Sequence, residues 1–228
     1  MTQQITHTSP HRTAARVYGI FFILTFLSYG IGSGIVASYA DGPDGLAGIL
    51  ANKATYTFGI ILMAVVHTVL NIGLAVVMLP ILKQFNKTVT FGYLSAAIAA
   101  TVVAIIGAMF MLLLVPLSEV SVTTDTAHIE TLAALLKKGG FYGYQIGMTL
   151  WGLGGMLFCY VLYIFKIVPR LLPIWGAVGY LIFIIGTIGE LFGYGIGLVL
   201  SAPGGLFEIS LSLWLIFKGF NAPKSHAA

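Results

Sequence analysis

Long uninterrupted apolar runs dominate the chain, and polar residues are confined to the stretches between them. Five runs, 17–38, 57–82, 89–117, 142–165 and 172–200, each meet the length of about 20 helical residues that crosses a hydrocarbon core of about 30 Å. A sixth run, 203–217, holds 15 residues and is marginal by length. The turn residues Ser201-Ala202-Pro203-Gly204 before it and Lys218 after it mark it as a separate segment. A re-entrant or strongly kinked segment is the alternative there. Membrane-spanning barrel strands alternate apolar and polar residues over about 10 positions, whereas these runs are continuously apolar. Only helices and closed barrels satisfy their backbone groups in lipid, so the pattern predicts helices.

Two of the connections carry helical periodicity of their own. Segments 45–53 and 127–138 each read as a short amphipathic helix. In the second, Ile129, Leu132 and Leu136 fall on one face, and Asp125 or Thr126 is placed to cap its start. Both are expected to lie in the outer interface with the amines of Lys53, Lys137 and Lys138 in water. The predicted architecture is an all-α polytopic membrane helix bundle. It has six transmembrane helices, N-in/C-in, and two short amphipathic outer-interface helices. Residues 13–221 form a single six-helix transmembrane domain between cytosolic tails at 1–12 and 222–228. Small residues recur at packing spacing: Gly92, Ala96, Ala100, Ala104 and Ala108 in the third run, Gly143 and Gly147 in the fourth, Gly189, Gly193 and Gly197 in the fifth, Gly30 and Gly34 in the first. Such ladders let helix backbones approach closely. Packing within the chain is the first expectation, and a homo-oligomer through these Gly/Ala faces the second.

Composition agrees with the pattern. The 228 residues are 58% hydrophobic and only 8% charged, where a soluble domain carries roughly 25% charged residues. The net charge of +4 comes from basic residues scattered singly or in pairs, without the stripe that nucleic-acid binding requires. Their distribution sets the orientation instead. With the N-terminus inside, Arg12, Arg16, Lys83, Lys87, Lys166, Arg170, Lys218 and Lys224 are inside. Lys53, Lys137 and Lys138 are outside with Asp41, Asp44, Glu119, Asp125 and Glu130. Eight basic residues against three is a positive-inside bias. The first apolar run is longer than the 7–15 residues, roughly, of a signal-peptide core, so it reads as a retained span. The single cysteine, Cys159, excludes an internal disulfide and a Cys-rich metal site.

Three segments together resemble one family. Ala15-Arg16-Val17-Tyr18-Gly19-Ile20 opens the first span. Val168-Pro169-Arg170-Leu171-Leu172-Pro173-Ile174-Trp175-Gly176, followed by Gly179-Tyr180-Leu181, begins the fifth. Glu208-Ile209-Ser210-Leu211-Ser212-Leu213-Trp214-Leu215-Ile216-Phe217-Lys218-Gly219 closes the chain. The sequence is similar over residues 13–221 to the bacterial membrane-protein family named domain of unknown function 4386. The resemblance implies a multi-pass protein of the bacterial cytoplasmic (inner) membrane and carries no activity with it.

Polar residues inside the bilayer are expensive and mark candidate sites. Counted at about 1.5 Å per residue from the inner basic residues, Glu208 lies about 15 Å up and Asn71 about 18 Å up. His67 lies one turn above Asn71 on the same face, and Glu190 and Gln145 sit near the outer boundary. Glu208 reads either as a proton or cation site or as a tether to a neighbouring helix. These five, Glu208, His67, Asn71, Glu190 and Gln145, are the candidate ligand-binding residues. No zinc motif and no nucleophile turn is present, so no catalytic residue, metal or cofactor is implied. The leading expectation is binding or transport of a small molecule, lipid or cation through an outward-facing polar pocket that reaches Glu208. An intramembrane enzyme using Glu208 and His67, and a structural or accessory subunit, are the alternatives.

Overall fold

The computed structural model describes residues 9–121 and 126–221. Among these, the helices run α1 Ser9–Ala40, α2 Gly45–Ala51, α3 Lys53–Leu82, α4 Lys87–Leu112, α5 Leu114–Val120, α6 Thr126–Ile164, α7 Leu171–Leu191 and α8 Gly197–Phe217. Six of them are long and apolar enough to cross a membrane, with α5 continuing the course of α4. The chain is therefore a multi-pass membrane protein.

The six long helices form a closed ring in chain order, α1 against α3, α3 against α4, α4 against α6, α6 against α7, α7 against α8, and α8 back against α1. Small residues set the closest approaches. A methyl group on Gly143 would collide with the backbone of Gly107, and one on Gly147 with the backbone of Ala100 and Ala104. The α4–α6 seam thus uses Gly143, Gly147, Ala100 and Ala104 of the expected ladders together with Gly107 outside them, and van der Waals contact between backbones holds it. On α1, Gly32 meets the backbone of Gly59, and Gly19 meets Ser212 and Ile216. Gly30 and Gly34, by contrast, have nothing within 4 Å of an added methyl group.

Two buried clusters fill the ring at different heights. One, around Tyr18, Leu74, Met78, Phe158, Leu162 and Leu211, fills the half nearest the chain termini. The other, around Val36, Ile49, Tyr56, Ile60, Leu114 and Ile129, fills the opposite half. The ion pairs Lys53–Glu119 at 2.6 Å and Lys137–Asp41 at 3.0 Å tie connections at that opposite end. Lys138 lies over the Phe141 and Tyr142 rings.

Several expected boundaries move. The first helix begins at Ser9, inside the segment read as a tail. Segment 127–138 is not a separate helix but the first turns of α6, which is 39 residues long. The Gly139-Gly140 pair does not break it, because both glycines seat the side chains of Phe110 and Met111 on α4. The helix α7 stops at Leu191 rather than 200. Gly193 adopts φ +82°, with its N–H bonded to Glu190 O and that of Tyr194 to Gly189 O. This paired closure of the last carbonyls around a left-handed glycine ends helices. Gly193 is therefore a turn residue and no part of a packing ladder. The last helix starts at Gly197, and its 21 residues are enough to span. Pro203 lies inside it rather than in a turn, as is tolerated where neighbouring helices shield the backbone. The start cap at Asp125 or Thr126, Lys224 and the tail 222–228 lie outside the described residues or side chains.

Candidate functional site

Glu208 projects from the middle of α8 and is only 8% exposed. Its Oε1 accepts hydrogen bonds from Trp151 Nε1 on α6 at 3.0 Å and from Tyr180 Oη on α7 at 2.7 Å. Glycines make this convergence sterically feasible. The Tyr180 ring occupies the place a Gly155 methyl group would take, and the Phe207 ring and Cys159 Sγ do the same at Gly176. The cluster Gly152-Leu153-Gly154-Gly155 thereby faces three neighbours, Ile184, Ala96 and Tyr180. Glu208 Oε2 takes no hydrogen bond from the described residues.

Across the ring, α3 carries a π-helical turn at Ile61–Val66 immediately before His67. One extra residue per turn shifts the faces of the helix that follows, a device frequent at functional sites. His67 Nδ1 lies 3.3 Å from the Thr25 carbonyl on α1, which can only accept, so Nδ1 carries the proton. Nε2 then accepts from Asn71 Nδ2 at 2.9 Å, one turn along. This leaves Asn71 Oδ1 buried without a partner among the described residues, on a side chain 3% exposed. Tyr29 stands against the His67 ring, with centroids 5.0 Å apart, and stacks on Tyr144 at 5.1 Å.

Glu208, His67 and Asn71 line one cavity of about 230 Å³ between the two buried clusters. Phe22, Phe26, Tyr29, Tyr144, Trp151 and Phe183 supply its aromatic walls. Its rim includes Phe26 and Gly30, both exposed, on α1, and the half-buried Ser201 and Gly205 on α8. Helices α1 and α8 touch at Gly19 and Ser212 but leave open space beside Gly30 and Gly205, so the mouth lies along their seam.

The other two candidates fall elsewhere. Glu190 Oε1 accepts the backbone N–H of Gly197 and so joins the end of α7 to the start of α8. Gln145 is buried on α6, one position from Tyr144, without lining the cavity. Trp151, Tyr180, Thr25, Tyr29 and Tyr144 belong to the site but were not singled out as site residues. Aromatics in apolar helices carry no sequence signal that separates a hydrogen-bond donor from packing.

Comparison with protein families decides one question. The family Domain of unknown function (DUF4386) matches residues 17–219. The chain belongs to this family. The matched DUF4386 region includes every residue that lines the cavity. Two of the segments that carry the resemblance supply Glu208 and its donor Tyr180. No curated protein and no solved structure matches the chain.

Proposed function

We propose that this DUF4386 protein binds a small molecule that it takes up from the lipid phase of the bacterial inner membrane. The observation that carries the reading is the cavity itself. It is half-open, walled by aromatic rings, and two of its lining residues, Glu208 and Asn71, each carry an oxygen, Oε2 and Oδ1, without a hydrogen-bond partner among the described residues. Ligand sites are mostly apolar concavities with a few convergent polar groups. A buried acceptor left unpaired costs about 1–3 kcal/mol, which a ligand donor recovers. The mouth along the α1–α8 seam favours entry from lipid over the outward-facing water route that the sequence suggests. Binding is favoured over acid–base catalysis, because both ring nitrogens of His67 are engaged by Thr25 and Asn71.

The test uses bromobenzene, a contact quencher of indole fluorescence, on protein in lipid nanodiscs with Trp175 and Trp214 replaced by Phe. Bromobenzene is expected to quench Trp151. Gly205→Leu fills the cavity, since nothing stands within 4 Å of an added Cβ there, and is expected to abolish most of the quenching. Equal quenching in both proteins would show that the probe reaches Trp151 from elsewhere, and would defeat the proposal.

A further inference from the structure

We infer that the occupant of the cavity is a small protonated amine on an apolar or aromatic body. The inference rests on the cavity being a ligand site and adds the ligand's charge and donor pattern. The donors around the cavity are largely used within the protein. Trp151 Nε1 and Tyr180 Oη are committed to Glu208, His67 Nδ1 to Thr25, and Asn71 Nδ2 to His67. Among the described residues, and with Glu208 ionised opposite a cationic ligand, the lining leaves the acceptors Glu208 Oε2 and Asn71 Oδ1 without partners, with the Tyr29 and Tyr144 hydroxyls able to act either way. Among the described residues no lysine or arginine lines the cavity. A ligand that satisfies this site must bring hydrogen-bond donors and tolerates, or supplies, positive charge. An alkylammonium does both, with up to three N–H groups.

The walls agree independently. Aromatic faces attract cations, most strongly where the pair is desolvated. Six aromatic side chains surround the one carboxylate. Counting along the helices places Glu208 and Asn71 at similar heights, about 15 and 18 Å from the inner basic residues. The two residues therefore lie in one layer of the cavity, on the two helices that flank α1. Size limits the class further. An engineered cavity of roughly 150 Å³ holds benzene, so about 230 Å³ accommodates an aromatic ring with a short aminoalkyl arm. Entry between α1 and α8 suits such a molecule, whose apolar body partitions into lipid.

Calorimetry on the full chain in lipid nanodiscs, corrected with protein-free nanodiscs, compares phenethylamine with 2-phenylethanol, which has nearly the same shape without the charge. Wild-type protein is expected to bind the amine at least about tenfold more tightly, a difference of one decade in Kd. Glu208→Gln keeps an oxygen for Trp151 and Tyr180 but turns the free oxygen into an N–H donor. It is expected to reduce the amine's advantage to parity or below. Equal affinities in wild type, or an advantage that survives in Glu208→Gln, overturns the amine inference while the cavity reading stands. Failure of both compounds to bind wild type also overturns it. If bromobenzene then fails to reach Trp151, the cavity reading falls as well.

Discussion

Two donors from different helices meet on a single oxygen of Glu208, and this gives one side chain a part in holding three helices together. Replacement by leucine removes the acceptor and leaves the Trp151 and Tyr180 donors buried. Each buried orphan costs about 1–3 kcal/mol. Glu208→Leu is therefore expected to lower the thermal unfolding temperature in detergent well below that of Glu208→Gln, which retains an acceptor. Equal melting of the two variants would show that the hydrogen bonds contribute nothing. At this scale the sequence was readable where a residue violates the membrane's chemistry. Glu208, His67 and Asn71 stand out because polar groups are rare in spans, and all three reach one cavity. Trp151 and Tyr180 do not stand out, because an aromatic ring suits lipid whether or not its polar atom has work. Depth counting cannot see that the neighbour of Glu190 in space is the Gly197 N–H.

Elements were readable in type and less so at their ends. Apolar length identifies a spanning helix, but its limits depend on individual glycines and prolines whose roles reverse with context. Gly193 ends α7, whereas Gly139 and Gly140 sit inside α6 because α4 fills the space beside them. Pro203 reads as a turn signal and lies within α8. The same contrast separates packing glycines from idle ones. Gly143→Val would press side-chain carbon on the Gly107 backbone, which cannot rotate away. Overpacking of this kind costs about 1–3 kcal/mol. Gly34→Val meets open space. Thermal unfolding of the two variants should show a clear loss for the first and little change for the second. Comparable losses would mean that the α4–α6 seam yields easily or that the face of Gly34 is covered by another molecule.

For the molecule as a whole, charge distribution alone carries the expected N-in/C-in orientation. Asn221 bonds to the backbone of Lys166 and Ile167, and Phe220 packs on the same buried cluster as Ala14 and Ala15 near the start of α1. The basic residues Arg12, Arg16, Lys83, Lys87, Lys166, Arg170 and Lys218 cluster at that end, while the acidic side chains of Asp41, Asp44, Glu119 and Glu130 belong to the opposite one. Positive charge is retained on the cytoplasmic side. A cysteine placed at Asn86 should react with a membrane-impermeant maleimide only after the cells are opened, and one at Asp44 in intact cells. Cys159 is buried and silent as background. Labelling of Asn86 in intact cells would invert the topology.

Ring closure also dictates an order of events during synthesis. Of the six long helices described, α8 is made last, and it is the one that seals the first, at Gly19 against Ser212 and Ile216. Until then α1 holds its Gly19 face, which Ser212 and Ile216 later cover, open to lipid or to whatever insertion factor shelters it. The carboxylate that completes the cavity arrives on that same final helix. A chain that has not yet inserted α8 cannot close this cavity, so a closed cavity reports that all six of the described long helices are in place.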